Sequence, residues 1–336
     1  MHSDVKMFGA YDIQEEKMGL ILKNISFERE LKEKIECKLN KIGMYFHIFA
    51  RVKNSCSLCQ KLIRKEDEYR EKNKKLQDLI GIRIVLYYAD DIMVCRKIIE
   101  SLFHVREEDS AIDRPGIDEF RPVRLNLVCD IPDEGEDYIK RIPEALWQDY
   151  RIDKTFEVQI RTIFSEGWHE VEHDIRYKHK YEWENPDYYE FNRKLNGINA
   201  TLEICDNMMI SILDSLAYQC YKEGKIVEMF RYKLRIRIKD EKIKKELQCL
   251  LEEDKDLLKK FYRVDRDELL HILSDLLFSS VPFTLNNIIY ICGALQIEDG
   301  RINELLPSRI KNYIMQWREQ QNVIVDNKCR FKRIAK

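Results

Sequence analysis

The 336-residue sequence is poor in the residues that make tight turns, with 11 glycines and seven prolines. An all-β protein with many turns needs both in quantity, so we expect a helix-rich chain. No run of 18 uncharged apolar residues occurs, so no segment is expected to span a bilayer. The net charge of −2 gives no bulk attraction to polyanions. Hydrophobic residues make up 44% of the chain, which is enough for a sizeable core.

The sequence also lacks the features of an exported protein. Its first residues show no basic stretch followed by an apolar run, which predicts a cytoplasmic protein. The ten cysteines are scattered, and we expect them to be reduced thiols in that compartment. Cys56 and Cys59 form a C-x-x-C pair, but no second pair of ligands at similar spacing follows. Two small apolar residues on a helix are therefore favoured over a zinc site.

The spacing of apolar side chains predicts both helices and strands in the first half of the chain. The compact apolar run 79–88 predicts a buried strand, and the polar stretch 106–120 predicts an exposed loop. Alternation predicts two more strands at 123–131 and 156–162. Helical spacing covers residues 12–48, 55–75, 90–103 and nearly everything after about residue 187. The sequence thus predicts an α+β protein, with a mixed sheet flanked by helices and an all-helical C-terminal region.

The segment HEVEH, residues 169–173, fits the zinc pattern H-E-x-x-H, with two histidines on one helix face and a glutamate as base. A third ligand is needed, and no glutamate follows at the thermolysin-like distance. His179 has the place of a third histidine, but Arg176 replaces the glycine that would turn the chain back. A helix continuing through Arg176 would turn His179 roughly 60° away. A zinc hydrolase is therefore disfavoured.

Three stretches together resemble the synthetase domain of the RelA/SpoT family. They fit the patterns R-x-K…S…K, D-x-x-G-x-R and E-x-Q-I-R-T…W…E-H…Y-K: RVKNSCSLCQK (51–61), DLIGIRIV (78–85) and FEVQIRTIFSEGWHEVEHDIRYK (156–178). Members of this family transfer pyrophosphate from ATP to the 3′-hydroxyl of GDP or GTP. The resemblance covers roughly residues 15–180. It implies a nucleotidyltransferase-like sheet and a (p)ppGpp synthetase of the small alarmone synthetase type.

The resemblance implies a donor site that holds ATP. Arg51 and Arg83 would sandwich the adenine, which suits their planar guanidinium groups. Their spacing of four places Lys53, Ser57 and Lys61 on one helix face, with a hydroxyl between two ammonium groups. The implied ATP-binding residues are Arg51, Lys53, Ser57, Lys61 and Arg83.

Two carboxylates are implied as the catalytic pair. Asp78 precedes one predicted strand, and Glu157 lies on the polar face of another. Such hard oxygen ligands suit Mg²⁺, with room left for substrate phosphates. By resemblance Asp78 holds the Mg²⁺, and Glu157 either shares the metal or takes the proton from the attacking hydroxyl. The implied step is attack of a ribose 3′-hydroxyl on the β-phosphate of ATP, with AMP leaving.

The acceptor side departs from the family pattern G-Y-x-S-x-H, which reads EFRPVR at 119–124. Phe120 keeps an aromatic face in place of the tyrosine, and Arg124 keeps a cation in place of the histidine. Pro122 replaces the serine, and Glu119 adds a negative charge where a nucleotide phosphate would lie. The implied acceptor-side residues are Phe120, Arg124, Gln159, Arg161, His173 and Lys178. His173, Tyr177 and Lys178 serve either the acceptor or the scaffold.

These observations leave several functions open. The leading one is a pyrophosphokinase that uses ATP and a guanine nucleotide, in a RelA/SpoT-like domain at 1–185. One alternative is a toxin-type enzyme that pyrophosphorylates the 3′ end of tRNA; another is a nucleotide-binding regulatory protein that has lost turnover. A helical extension at 186–225 and a helical domain at 226–336 of unassigned role would follow. A homo-oligomer or a regulatory partner that binds the C-terminal region is compatible with these extra helices, and no membrane partner is expected.

Overall fold

The computed structural model describes residues 27–53, 75–113, 124–135, 152–177, 179–276 and 282–320. Its contacts divide the chain into two compact units. The described parts of Met1–Cys37 and Phe46–Asn207 form the first, which we call the sheet unit. The described parts of Lys38–Tyr45 and Met208–Lys336 form the second, which we call the helical unit. The finer division at residues 185 and 225 stays a prediction.

A five-stranded mixed sheet, in the order β1-β2-β5-β4-β3, is the centre of the sheet unit. β2 and β5 run parallel, and the other neighbours are antiparallel. The strands are β1 Phe46–Val52, β2 Ile80–Leu86, β3 Ala111–Asp113, β4 Arg124–Asp130 and β5 Thr155–Thr162. This confirms the mixed sheet and the strands predicted at 79–88, 123–131 and 156–162.

Helices flank this sheet, as predicted. The helices that lie wholly or partly in this unit are α1 Phe27–Lys41, α2 Asp91–Leu102, α3 Ile163–Glu172, α4 Lys180–Trp183 and α5 Tyr189–Glu223, and the division between the units falls within α1 and within α5. α2 packs against β5, and α3 packs against β2 and β5. The helix predicted at 90–103 is confirmed by α2.

Two predictions in this unit are wrong. The helix predicted over 12–48 stops before Phe46 in the part of the chain that the structure describes, because residues 46–52 form β1. Phe46 and Ile48 are buried whereas His47 and Phe49 are exposed, which is the two-residue period of a strand. The loop predicted at 106–120 contains β3, a short edge strand that pairs with β4.

The alternation of β5 separates a core from a polar face. Phe156, Val158 and Ile160 are fully buried, and Phe156 meets Phe103 edge to face at 5.0 Å between ring centroids. Glu157 and Gln159 lie between them in sequence and therefore project from the other face of the sheet. The predicted polar face is thus confirmed.

The helical unit contains only helices among its described elements, as predicted for the C-terminal region. After α5 they are α6 Ile226–Leu234, α7 Lys245–Glu253, α8 Lys255–Tyr262, α9 Arg266–Leu276, α10 Leu285–Leu295 and α11 Gly300–Glu304, and residues 308–320 are also helical. Phe230 and Phe261 pack edge to face in its core, with ring centroids 5.7 Å apart. Among the residues described, no helix has both the length and the apolarity to cross a membrane.

A glycine closes α1 inside the helical unit. Gly43 has φ +73°, a conformation that side chains rarely adopt. A Cβ atom there would lie 2.6 Å from Cε1 of Phe283 and 2.9 Å from the carbonyl oxygen of Arg237. Both the backbone angle and the space therefore require glycine at this turn.

A part-buried hydrogen bond joins α5 to the end of β5 within the sheet unit. The Thr162 hydroxyl donates to Oδ2 of Asp206 at 2.6 Å. Burial raises the pKa of Asp206 to about 6, although the hydrogen bond from Thr162 lowers it, and the neighbouring charge of Glu203 raises it further. Because this pKa lies above the ordinary 3.8, ionisation of Asp206 opposes folding.

We expect Asp206→Asn to stabilise the protein at neutral pH, because asparagine keeps an acceptor for Thr162 without a buried charge. The stability that a protonated Asp206 provides is lost as the pH rises through about 6. The gain in Tm should therefore shrink as the pH is lowered from neutral toward 3.8. Thermal denaturation across this range measures it, with Asp187→Asn as an exposed control. A gain that does not change with pH would contradict this account.

Candidate active site

Two cross-strand rows of side chains lie on the polar face of the sheet. Arg51 of β1 pairs with Gly81 of β2, which in turn pairs with Glu157 of β5. In the next row, Phe49, Arg83 and Gln159 are paired in the same order. Residues two apart on one strand share a face, so the two rows form one continuous surface.

This surface borders a cavity of about 210 Å³. It is lined by Phe49, Ala50, Arg51, Asp78, Gly81, Ile82, Arg83, Glu157 and Gln159. The cavity therefore brings together the two predicted catalytic carboxylates, both arginines of the predicted adenine site, and one predicted acceptor-side residue.

Lys53 contacts the first of these carboxylates. Its Nζ lies 2.5 Å from Oδ2 of Asp78, and its backbone amide donates to the carbonyl oxygen of Leu79 at 2.9 Å. The prediction that Lys53 lies on a helix face is therefore wrong. Lys53 directly follows β1, and its backbone is held beside β2 in an extended conformation. Ser57 and Lys61 lie outside the described residues.

The two residues directly before Asp78 are hydrogen-bonded to residues at or just before the start of β5. The amide of Asp153 donates to the carbonyl oxygen of Leu76 at 2.8 Å, and Thr155 donates to the carbonyl oxygen of Gln77 at 3.3 Å. Arg106 contacts the nearly buried Asp153 through Nη1 at 2.6 Å. These contacts fix the backbone directly before Asp78, and the sequence motifs gave no sign of them.

Arg106 also contacts a second carboxylate, that of Asp130 at the end of β4, at 2.6 Å. Burial disfavours the charged form of Asp130, but hydrogen bonds from His104 and Arg106 outweigh it, so its pKa lies below the ordinary value. The arginine thus links two carboxylates across the end of the sheet.

A chain of hydrogen bonds runs along the polar face from Glu157, one of the two predicted catalytic carboxylates. Gln159 donates to Oε2 of Glu157 at 2.9 Å and accepts from Nη2 of Arg161 at 3.0 Å. Arg161, only 3% exposed, donates to Oε2 of Glu166 at 2.9 Å. The other oxygen of Glu166 accepts from Nη1 of Arg83 at 2.5 Å. One carboxylate thus bridges an arginine of the cavity and an arginine of the predicted acceptor side.

The sequence analysis did not predict that carboxylates on α3 pair with Arg83. Arg83 also donates to Oε1 of Glu170 at 2.5 Å, one helical turn after Glu166. Burial favours protonation of Glu170, but the hydrogen bond and charge of Arg83 lower its pKa below the ordinary value. α3 begins directly after β5, where the Thr162 hydroxyl accepts from the amide of Ser165. The four-residue spacing of the two glutamates was the available signal.

The two histidines of HEVEH lie close together, with ring centroids 5.7 Å apart. Over the described ranges, no group of three His, Cys, Asp or Glu side chains is arranged to hold a metal. The third histidine of the pattern, His179, faces Glu182, with Nδ1 at 3.6 Å from Oε1.

The sequence predicted that the helix continues through Arg176, but it does not continue unchanged. Its α-helical part ends at Glu172 and gives way to a π-helical turn over His173–Tyr177. Arg176 packs across this turn, with Nη2 at 2.5 Å from Oε1 of Glu172 and its guanidinium 6.0 Å from the ring centre of Trp168.

The structure describes only some of the remaining residues predicted for the acceptor side. Phe120 and Lys178 lie outside the described residues, and Arg124 begins β4. His173 begins the π-helical turn with its side chain 43% exposed, and it is not among the described residues that line the cavity. Its role as acceptor contact or scaffold stays a prediction.

The carboxylates of the cavity fit a Mg²⁺ site in their chemistry. Asp78 and Glu157 offer hard oxygen donors in the same space, where Mg²⁺ bound by one or two carboxylates would complete its shell with water and phosphate. Asp78 would share its carboxylate between the metal and Lys53.

Comparison with known proteins agrees with the three sequence stretches. The family model described as the region found in RelA / SpoT proteins matches residues 50–182. GTP pyrophosphokinase YwaC of Bacillus subtilis (strain 168) is 29% identical over 137 residues. That match covers 39% of this chain and 58% of YwaC, so it spans less than two thirds of the relative's length.

Solved structures of small alarmone synthetases are also similar to this chain. Small alarmone synthetase 1 from Bacillus subtilis is 21% identical, with 55% of this chain and 91% of that chain covered at a TM-score of 0.39. The same protein bound to its product pppGpp is also 21% identical, with 56% and 93% covered and a TM-score of 0.37. The segment 50–182 that matches the RelA / SpoT family model contains every residue that lines the cavity except Phe49.

Proposed function

We propose that this chain is an ATP-dependent pyrophosphokinase that transfers pyrophosphate to the 3′-hydroxyl of GDP or GTP. The observation that carries the proposal is the convergence of Arg51, Asp78, Arg83 and Glu157 on one cavity of a RelA/SpoT region. These are the arginines and carboxylates that the family motifs predict. The name of the relative YwaC, a GTP pyrophosphokinase, supports the same reaction.

The donor half of the cavity suits a triphosphate. Phosphoryl-type transfer depends mostly on positioning and on neutralising charge. Lys53 supplies a cation beside Asp78, and Arg51 and Arg83, which the motifs assign to the adenine, lie in adjacent rows of the sheet. A bound Mg²⁺ would supply further charge neutralisation at the phosphates. Asp78 and Glu157 are the residues that would hold it.

The reaction needs a base beside the attacking hydroxyl. The 3′-oxygen of the acceptor forms a bond to the β-phosphorus of ATP. The bond from that phosphorus to the oxygen bridging the α-phosphate breaks, and AMP leaves with the electron pair. Glu157 takes the hydroxyl proton, held in orientation by the amide of Gln159 at 2.9 Å. The product carries the pyrophosphate on its 3′-oxygen.

We expect label in the β-phosphate of ATP to move to GDP or GTP when the purified full chain is incubated with Mg²⁺. Thin-layer chromatography of the nucleotides and gel analysis of added tRNA would measure transfer in the same reactions. Label on tRNA alone would contradict the guanine acceptor and support the toxin-type alternative. Tight ATP binding without transfer to any acceptor would instead support a regulatory protein.

Glu157→Gln and Asp78→Asn should each lower kcat at least about 100-fold, because each removes a carboxylate from the reacting centre. Initial rates at saturating ATP and GTP measure this loss. The matched control is Glu107→Gln, a carboxylate 64% exposed that pairs with Arg96 on the surface, where ion pairs contribute little. An active Glu157→Ala variant would rule out the base assignment.

Glu166→Gln should lower kcat/KM for ATP roughly tenfold, since a charge-assisted hydrogen bond to Arg83 or Arg161 is lost. A neutral amide turns one N–H group toward one of these arginines, so it cannot accept from both. We expect the loss to fall mainly on the KM for ATP, because Arg83 lines the donor cavity. Glu182→Gln, 68% exposed, is the control. An unchanged KM for ATP in the Glu166→Gln variant would contradict this positioning role.

A further inference from the structure

We propose that the ring of Phe49 is a stacking surface for the purine base of the pyrophosphate donor. This inference rests on the proposed function, because it concerns the base of the ATP that the cavity is proposed to hold. It names a binding residue that lies outside the three motifs and one residue before the segment 50–182.

The position of Phe49 separates it from an ordinary exposed apolar residue. Its side chain is 58% exposed, and single exposed apolar residues are common on protein surfaces. This ring, however, lies on the polar face of β1 and lines the same cavity as Asp78 and Glu157. A large apolar surface beside two carboxylates remains in water unless a ligand with an apolar face covers it.

Phe49 lies beside both arginines that the motifs assign to adenine. Arg83 is its direct partner across β1 and β2. Arg51 follows two residues later on the same strand and the same face. A base that one of these guanidinium groups covers on one face therefore has its other face within reach of the ring, which would take the place of the second arginine of the predicted sandwich.

The contacts of Arg83 and Arg51 leave the ring of Phe49 as a broad flat surface in the cavity. Arg83 is bound through Nη1 to the carboxylates of Glu166 and Glu170, which offset its charge. Gly81 has no side chain, and a Cβ there would meet Cγ and Nε of Arg51 at 3.8 Å, so Arg51 extends across this glycine. Among the described residues that line the cavity, the aromatic surface comes from Phe49.

An aromatic ring at this place fits a nucleobase by its chemistry. Stacking on an aromatic side chain buries the apolar faces of the base and ring, whereas the triphosphate interacts with cations. The ring should therefore contribute to the binding of the base and leave the binding of the phosphates unchanged.

The test compares two probes on the full chain by isothermal titration calorimetry with Mg²⁺ present. ATP carries both base and phosphates, and inorganic tripolyphosphate carries the phosphates alone. Phe49→Ala should raise the Kd for ATP roughly tenfold, equal to about 1.4 kcal/mol. Its Kd for tripolyphosphate should stay at the wild-type value.

Three further variants control for effects on the fold. Phe49→Leu keeps an apolar side chain on the edge strand but lacks the ring, so it should lose ATP affinity as the alanine variant does. Phe49→Tyr keeps the ring and should bind ATP as the wild type does. Met93→Ala removes an apolar side chain that is 45% exposed on α2, outside the lining of the cavity, and should change neither Kd.

The outcomes separate this inference from the proposed function. Equal ATP affinity in wild type and Phe49→Leu, with pyrophosphate transfer intact, would overturn the stacking role alone. Parallel losses for ATP and tripolyphosphate would also overturn it, because they would indicate a distorted cavity. A ring-dependent ATP affinity without transfer to a guanine nucleotide would support the stacking role while contradicting the proposed acceptor. A wild-type chain that binds no ATP would overturn both.

Discussion

The parallel pairing of β2 and β5 is the constraint on which the rest of the site depends. Its register sets Gly81 against Glu157 and Arg83 against Gln159. A slip of one residue would turn Glu157 and Gln159 into the core and bring Val158 to the polar face. The full burial of Val158 therefore also fixes the positions of the predicted catalytic face.

Charge in the site is balanced locally rather than spread over the surface. Lys53 contacts Asp78, and Glu166 bridges Arg83 and Arg161. A cavity with a net excess of cations would bind a triphosphate more strongly, but its arginines would repel one another without the ligand. Paired carboxylates hold the guanidinium groups of Arg83 and Arg161 in fixed positions, and for the proposed binding of ATP such preorganisation would lower the cost of ordering the site.

The sequence correctly predicted the strands whose hydrophobic pattern has only one interpretation. β2 is a continuous apolar run, and β4 and β5 alternate, so each was found. β1 was missed because Ile42, Phe46 and Phe49 also have the spacing of a helix, and only pairing with β2 decides between the two periods. β3 was missed because three residues at a sheet edge carry too little pattern, and its strand exists only through pairing with β4.

The same distinction, between a pattern within one segment and a contact between distant segments, explains which residues of the site were predicted. The motifs identified Arg51, Asp78, Arg83 and Glu157, which share one cavity. They did not identify Glu166, whose contact with Arg83 joins residues 83 positions apart, or Arg106, which contacts Asp153 across 47 positions. Motif spacing reports residues that touch a substrate, whereas the partners that orient them can come from any element that packs nearby.

Phe49 shows how a strand can add a side chain to a site without changing a motif. It lies two residues before Arg51, on the strand that presents that arginine. Because alternate residues of a strand share a face, any side chain at position 49 is placed beside the cavity whatever its chemistry. The fold therefore keeps this position beside the cavity while leaving its residue type unconstrained by the sheet. In a cavity that holds ATP as proposed, such a position changes how the base is held without disturbing Asp78 and Glu157.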